Sequence, residues 1–128
     1  MPIAPTTVYV VDDDFGVLGS LRFLLETDGF EVRTFRSGAA LLDAVAENDI
    51  DCIVVDYSIG RIDAQQICQN LRRNTEYADT IVIALLPDDG SPMSFDRSSI
   101  NETFKKPFDA KLLAERLRTL IGAKKELV

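Results

Sequence analysis

A chain of 128 residues with 46% hydrophobic and 27% charged residues has the length of one domain and the composition of a soluble globular protein. Its net charge of −7 argues against direct nucleic-acid binding, since the phosphate backbone rewards Lys and Arg, and the pairs Arg72-Arg73, Lys105-Lys106 and Lys124-Lys125 are scattered as solvated helix faces are. The opening Met1-Pro2-Ile3-Ala4-Pro5 has neither a basic n-region nor a long apolar stretch, so no signal peptide or membrane span is expected and the expected location is cytoplasmic.

Strands and helices alternate along the chain. Val8–Val11 is a continuous apolar run that reads as a buried parallel strand, closed by Asp12 and Asp13. Asp14 is an N-cap candidate for a helix carrying Val17, Leu18, Leu21, Leu24 and Leu25, which ends before Gly29. Residues 31–35 alternate as a second strand, and Ser37 caps a helix with Leu41, Leu42 and Val45 inward. Cys52–Val55 is the third strand, closed by Asp56, and a loop through Gly60 leads to a helix with Ile67 and Leu71 inward. Thr80–Leu86 is the fourth strand. The turn Pro87-Asp88-Asp89-Gly90-Ser91-Pro92 precedes a short, poor fourth helix over residues 93–99, because proline inside a helix costs about 3 kcal/mol. Phe104 lies in a short fifth strand, followed by Lys106-Pro107 and a last helix carrying Leu113, Leu117, Leu120 and Ile121.

Five strands alternating with five helical segments predict a three-layer α/β sandwich around a parallel sheet with right-handed crossovers. Cys52 and Cys68 lack CxxC spacing, and the chain has no His to complete a zinc site, so both read as small buried hydrophobes.

In the doubly wound order 2-1-3-4-5, strands one and three are neighbours at the switch point, where ligands bind at the carboxyl ends of strands. Asp12, Asp13 and Asp56 would then lie together. Close carboxylates repel unless a cation intervenes, and Mg2+ suits carboxylates combined with phosphate oxygens. With the ion on Asp12 and Asp13, Asp56 is free to attack a phosphoryl group and form an aspartyl phosphate, while Lys106 offsets charge on its oxygens. Taken singly, an Asp-Asp pair after a strand is usually a turn or cap, and a Lys-Pro pair a solvated loop. All three elements at these spacings are hard to obtain by chance.

Val11-Asp12-Asp13-Asp14, Val55-Asp56 and Lys106-Pro107-Phe108 resemble the receiver domain of two-component response regulators, over nearly the whole chain. The stretches 20–25 and 29–32 resemble most the FixJ-like subgroup. The resemblance implies a flavodoxin-like fold and phosphoryl transfer from a sensor histidine kinase, or a phosphotransfer protein, to Asp56. It implies Mg2+ held by Asp13, Asp56 and the backbone carbonyl of Ser58, with Asp12 helping through water. Lys106 would contact the phosphoryl group across a cis Lys106-Pro107 bond. It further implies a signalling acceptor rather than an enzyme, transcription regulation as an output, and homodimers through the face of helix four, strand five and helix five. Residues 1–128 are expected to form a single receiver domain without an output domain.

The departures fall on the coupling parts. Family spacing counted back from Lys106 puts Ala84 and Leu85 where a Thr or Ser and a small residue are customary, and Ala84 cannot donate a hydrogen bond. Thr103 stands at the aromatic switch position, and neighbouring Phe104 points to the opposite face of the strand. Ile59-Gly60 replaces the usual Met-Pro. Two readings stand: a phosphorylatable receiver with weakened switching, and a receiver-like interaction module that works without phosphorylation. A flavin-binding reading of the same fold is set aside, since carboxylates after strand one would repel a flavin phosphate.

Overall fold

The computed structural model describes residues 6–45, 50–57, 61–73, 79–87 and 100–126. Five strands form one parallel sheet: β1 (Thr7–Val11), β2 (Glu31–Phe35), β3 (Cys52–Asp56), β4 (Ile81–Leu86) and β5 (Glu102–Lys105), in the order β2-β1-β3-β4-β5. Four helices are described: α1 (Phe15–Thr27), α2 (Gly38–Val45), α3 (Arg61–Arg73) and α4 (Ala110–Glu126). The fourth helix expected over residues 93–99 lies outside the described residues, so α4 here is the last helix of the sequence.

The sheet is buried on both faces, which is why β1, β3 and β4 read as continuous apolar runs instead of alternating ones. Side chains still alternate between the faces. Val8, Val10, Cys52, Val54, Ile81, Ile83 and Leu85 pack with Leu21 and Leu25 of α1 and Leu113 and Leu117 of α4. Tyr9, Val11, Ile53, Val55, Val82 and Ala84 pack with Leu41 of α2 and Ile67 and Leu71 of α3. Cys52 and Cys68 are buried and not joined in a disulfide, one in each layer. No described helix is long and apolar enough to cross a membrane.

The helix ends follow local chemistry. Asp14 caps α1, its carboxylate accepting from the amides of Gly16 at 2.7 Å and Val17 at 3.3 Å. Beyond the end of α1, Gly29 adopts φ +93°, a conformation that L side chains rarely take. Ser37 Oγ accepts from the Ala40 amide at 3.2 Å, and Asp109 Oδ1 from the Lys111 amide at 2.9 Å, so α2 and α4 are also capped by side-chain oxygens.

Strand four differs from the spacing argument. β4 ends at Leu86, where the apolar run Thr80–Leu86 places it, with Pro87 following, two residues past the Ala84 that counting back from Lys106 assigns to the switch position. In the register, Ala84 sits opposite Val55, and Leu85 opposite Asp56. Ala84 is therefore an interior residue of β4, and Leu86 is the strand-end residue.

Candidate functional site

Register and parity together build the site. β1 and β3 pair Val8 with Cys52 and Val10 with Val54, so Asp12 and Asp56 both lie two residues beyond the Val10–Val54 pair. Both have the parity of the face covered by α1 and α4, as do Phe104 and, two residues on, Lys106. Asp12, Asp56 and Lys106 thus leave neighbouring strand ends toward the same side.

Asp12 and Asp56 are 0% exposed, whereas Asp13 is exposed. One carboxylate oxygen from each of the three lies within 4.8 Å of the others. Lys106 Nζ approaches Asp12 Oδ2 at 2.9 Å and Asp56 Oδ2 at 3.3 Å. The Lys106–Asp12 contact is held by charge, its geometry falling outside that of an aligned hydrogen bond. Backbone bonds fix the supports: the Asp14 amide donates to Asp12 Oδ1 at 2.9 Å, Asp12 N–H to Phe35 O at 3.1 Å, Tyr57 N–H to Leu85 O at 3.0 Å and Lys106 N–H to Leu86 O at 2.8 Å. The Lys106–Pro107 bond is cis, as the family resemblance implies.

Burial pushes the Asp12 carboxyl up to about 6, against the lowering pull of Lys106 and of the Asp14 amide and with a further push from Asp56. Burial also works against the charge on Lys106, but Asp12 and Asp56 more than offset it and hold the ammonium above its ordinary range. Three carboxylates face one ammonium, leaving negative charge in a low-dielectric pocket. Hard oxygen donors with excess negative charge are what Mg2+ requires, so the residues fit that ion. An open cleft of about 500 Å³ leads from Lys106 between α1 residues Val17 and Ser20 and the Pro107-Phe108 segment.

Of the residues expected at the site, Asp12, Asp13, Asp56 and Lys106 converge. Ser58, Ile59 and Gly60 lie outside the described residues. Ala84 and Thr103 are register partners on β4 and β5, and Ala84 is fully buried against the α2–α3 layer instead of opening on the site. Thr103 is half-buried, while Phe104 packs toward α1 and α4 and against Phe108, with ring centroids 6.3 Å apart. Leu86 and Pro87 stand where strand four ends, so the strand end carries no hydroxyl, although the residue responsible is not Ala84. Arg36 was not legible as part of this region: its guanidinium donates to the Asp13 carbonyl at 3.3 Å and stacks 3.9 Å from the Phe15 ring centroid. Only the folded pairing of two loops brings it there.

Comparison with known proteins agrees with this geometry. The family model of the response regulator receiver domain matches residues 8–118. The transcriptional regulatory protein FixJ of Azorhizobium caulinodans is 32% identical over 121 residues, covering 93% of this chain and 56% of that protein. The response regulator MprA of Mycobacterium sp. (strain KMS) is 29% identical over 117 residues, covering 91% and 51% respectively. The chain therefore spans about half the length of the curated relatives it matches. A receiver domain protein from Clostridium thermocellum superposes with a TM-score of 0.80 at 26% identity, over 96% of this chain and 99% of that one. The chemotaxis response regulator CheY4 of Vibrio cholerae shares the fold, with a TM-score of 0.81 at 21% identity, over 91% of this chain and 99% of that one. The chain belongs to the response regulator receiver domain family of two-component systems.

Proposed function

We propose that the domain receives a phosphoryl group on Asp56 from a sensor histidine kinase or phosphotransfer protein. The observation that carries this reading is the convergence of two fully buried carboxylates, Asp12 and Asp56, on one lysine at the strand ends. Burying such charge costs several kcal/mol unless it is paired, and a fold retains it where chemistry uses it.

An Asp56 carboxylate oxygen forms a bond to phosphorus as the bond from phosphorus to the donor breaks, and the donor leaves with the electron pair. Asp13, Asp56 and the Ser58 carbonyl would hold Mg2+, with Asp12 contributing through water. The ion supplies electrostatic stabilisation of the transferring oxygens. Lys106 supplies the fixed ammonium on the other side, kept charged by the two aspartates beside it. The cleft beside Lys106 gives a partner access along the start of α1. The domain acts as an acceptor whose turnover is the donor's, in the cytoplasm, and transcription is the output that the names of FixJ and MprA favour. Homodimers would use the face around β5 and α4.

One observation favours the second reading, an interaction module that needs no phosphorylation. β4 ends in Leu86-Pro87 and β5 presents Thr103, so neither a strand-end hydroxyl nor an aromatic at that position is available to convey occupancy of the site. The test is incubation with Mg2+ and a small phosphodonor, followed by intact mass. The first reading expects a hydroxylamine-labile gain of one phosphoryl group that Asp56→Asn lacks. Ordinary Mg2+ affinity with no phosphoryl uptake supports the second.

A further inference from the structure

The loop carrying Asp13 is anchored on both sides of Asp14. Asp14 N–H is taken by Asp12 Oδ1, and the Asp14 carboxylate caps α1, so the inner edge of the loop is held by its own residues. The outer edge is held by a residue from another loop. Arg36, directly after β2, donates from Nη2 to the carbonyl of Asp13 at 3.3 Å. The same guanidinium lies 3.9 Å from the centroid of Phe15, the first residue of α1, whose side chain is otherwise 69% exposed. One planar cation thus grips the residue before Asp14 and the residue after it. The strand pairing Val11–Phe35 and the bond from Asp12 N–H to Phe35 O set Arg36 alongside the loop.

We propose that Arg36, braced on Phe15, is a positioning residue that holds the Asp13 carboxylate in the three-carboxylate cluster and so sets the divalent-cation affinity of the site. This inference rests on the reading of Asp13 as a metal ligand. Asp13 is the exposed member of the cluster and lacks the packing that fixes Asp12 and Asp56. Its direction is therefore set by the backbone, and the backbone is what Arg36 holds. The planar, always-charged fork suits both tasks, stacking on a ring face and donating in plane. Lysine keeps the charge but has neither the plane nor the fork.

The two roles open to a cation beside a metal site have opposite signs. A charge acting only through space repels a divalent ion, so its removal tightens binding. A residue that orients a ligand loosens binding when removed, typically by tenfold or more for a close partner of a ligand. Magnesium chloride is titrated calorimetrically into the full chain and into Arg36→Ala, Arg36→Lys and Phe15→Leu, with thermal unfolding followed in parallel. The expected result is roughly tenfold weaker binding in both Arg36 variants and a smaller loss in Phe15→Leu, with melting temperatures close to the parent. Phe15→Leu changes an exposed ring and keeps the test decisive if an Arg36 variant fails to fold. Unchanged or tighter binding in Arg36→Ala, or full affinity in Arg36→Lys, overturns the positioning role while leaving the metal site intact. A parent chain that binds no Mg2+ overturns the reading of the site itself, and this inference with it.

Discussion

Lys106 Nζ lies 2.9 Å from Asp12 Oδ2, although β4 and β3 stand between β5, which Lys106 follows, and β1, which Asp12 closes. The ion pair spans four strands of the sheet and closes the site from above. Removing the ammonium leaves two fully buried carboxylates facing each other. Lys106→Met should cost the metal-free protein about 3 kcal/mol at pH 7, read from urea unfolding in the presence of a chelator. The loss should shrink toward pH 5, where Asp12 takes up a proton and needs the cation less.

The Asp12 carboxyl, raised from 3.8 to about 6, gives stability a definite pH dependence. Between those values the folded chain binds a proton that the unfolded chain has released. Its contribution is fully present below about pH 4 and is lost as pH rises through 6. At pH 7 the buried charge therefore destabilises the metal-free fold, by about 3 kcal/mol. Asp12→Asn should raise the urea midpoint at pH 7 and flatten the slope between pH 4 and 6. An unchanged slope would mean that Asp12 is not the group titrating there.

Mg2+ should stabilise the domain by relieving the same repulsion. At a concentration a hundred times its dissociation constant the gain should be about 2.7 kcal/mol, and a chelator should reverse it. Asp13→Asn should abolish most of this gain while leaving metal-free stability nearly unchanged, because Asp13 is exposed. Thermal melts with and without the ion check both statements.

The sheet and the reacting residues were legible in the sequence because they rest on local rules. Residues 31–35 show the bounds of β2, since an edge strand must alternate, and apolar runs ending in charge placed Asp12, Asp56 and Lys106 at strand ends. The caps Asp14 and Ser37 were readable for the same reason. The end of β4 at Leu86 was readable too, but which of its residues faces the site was not. Counting from Lys106 assumes a fixed connection length between the strands, and the length of a loop is not encoded in its periodicity. The register with β3, which puts Leu85 beside Asp56, depends on long-range pairing that the sequence does not show. Arg36 escaped for a related reason, since its partners are Asp13, in the loop after β1, and Phe15, at the start of α1.

The corrected register changes which substitutions are informative. Leu85 is fully buried against α1 and α4, so Leu85→Ala should cost about 3 kcal/mol in urea unfolding and should not act as a change in access to the site. Leu86 shares the parity of Ala84 and packs toward α2 and α3, whereas Pro87 shares that of Leu85, so Pro87→Thr is the change that supplies a hydroxyl at the strand end on the face of Asp56. It should enlarge the amide shift changes that beryllofluoride with Mg2+ induces at β5, around Thr103. Equal shift changes in parent and variant would show that the strand end does not couple the site to β5.

The central claim is that Asp56 accepts the phosphoryl group, and reductive trapping measures it at the residue itself. The chain is incubated with Mg2+ and a small phosphodonor, treated with borohydride, and its peptides are mapped by mass spectrometry. An acyl phosphate at Asp56 predicts homoserine at position 56 and at no other aspartate, with none formed when Mg2+ is chelated. Homoserine at Asp12 or Asp13, or none anywhere while the protein binds Mg2+ normally, would contradict the account.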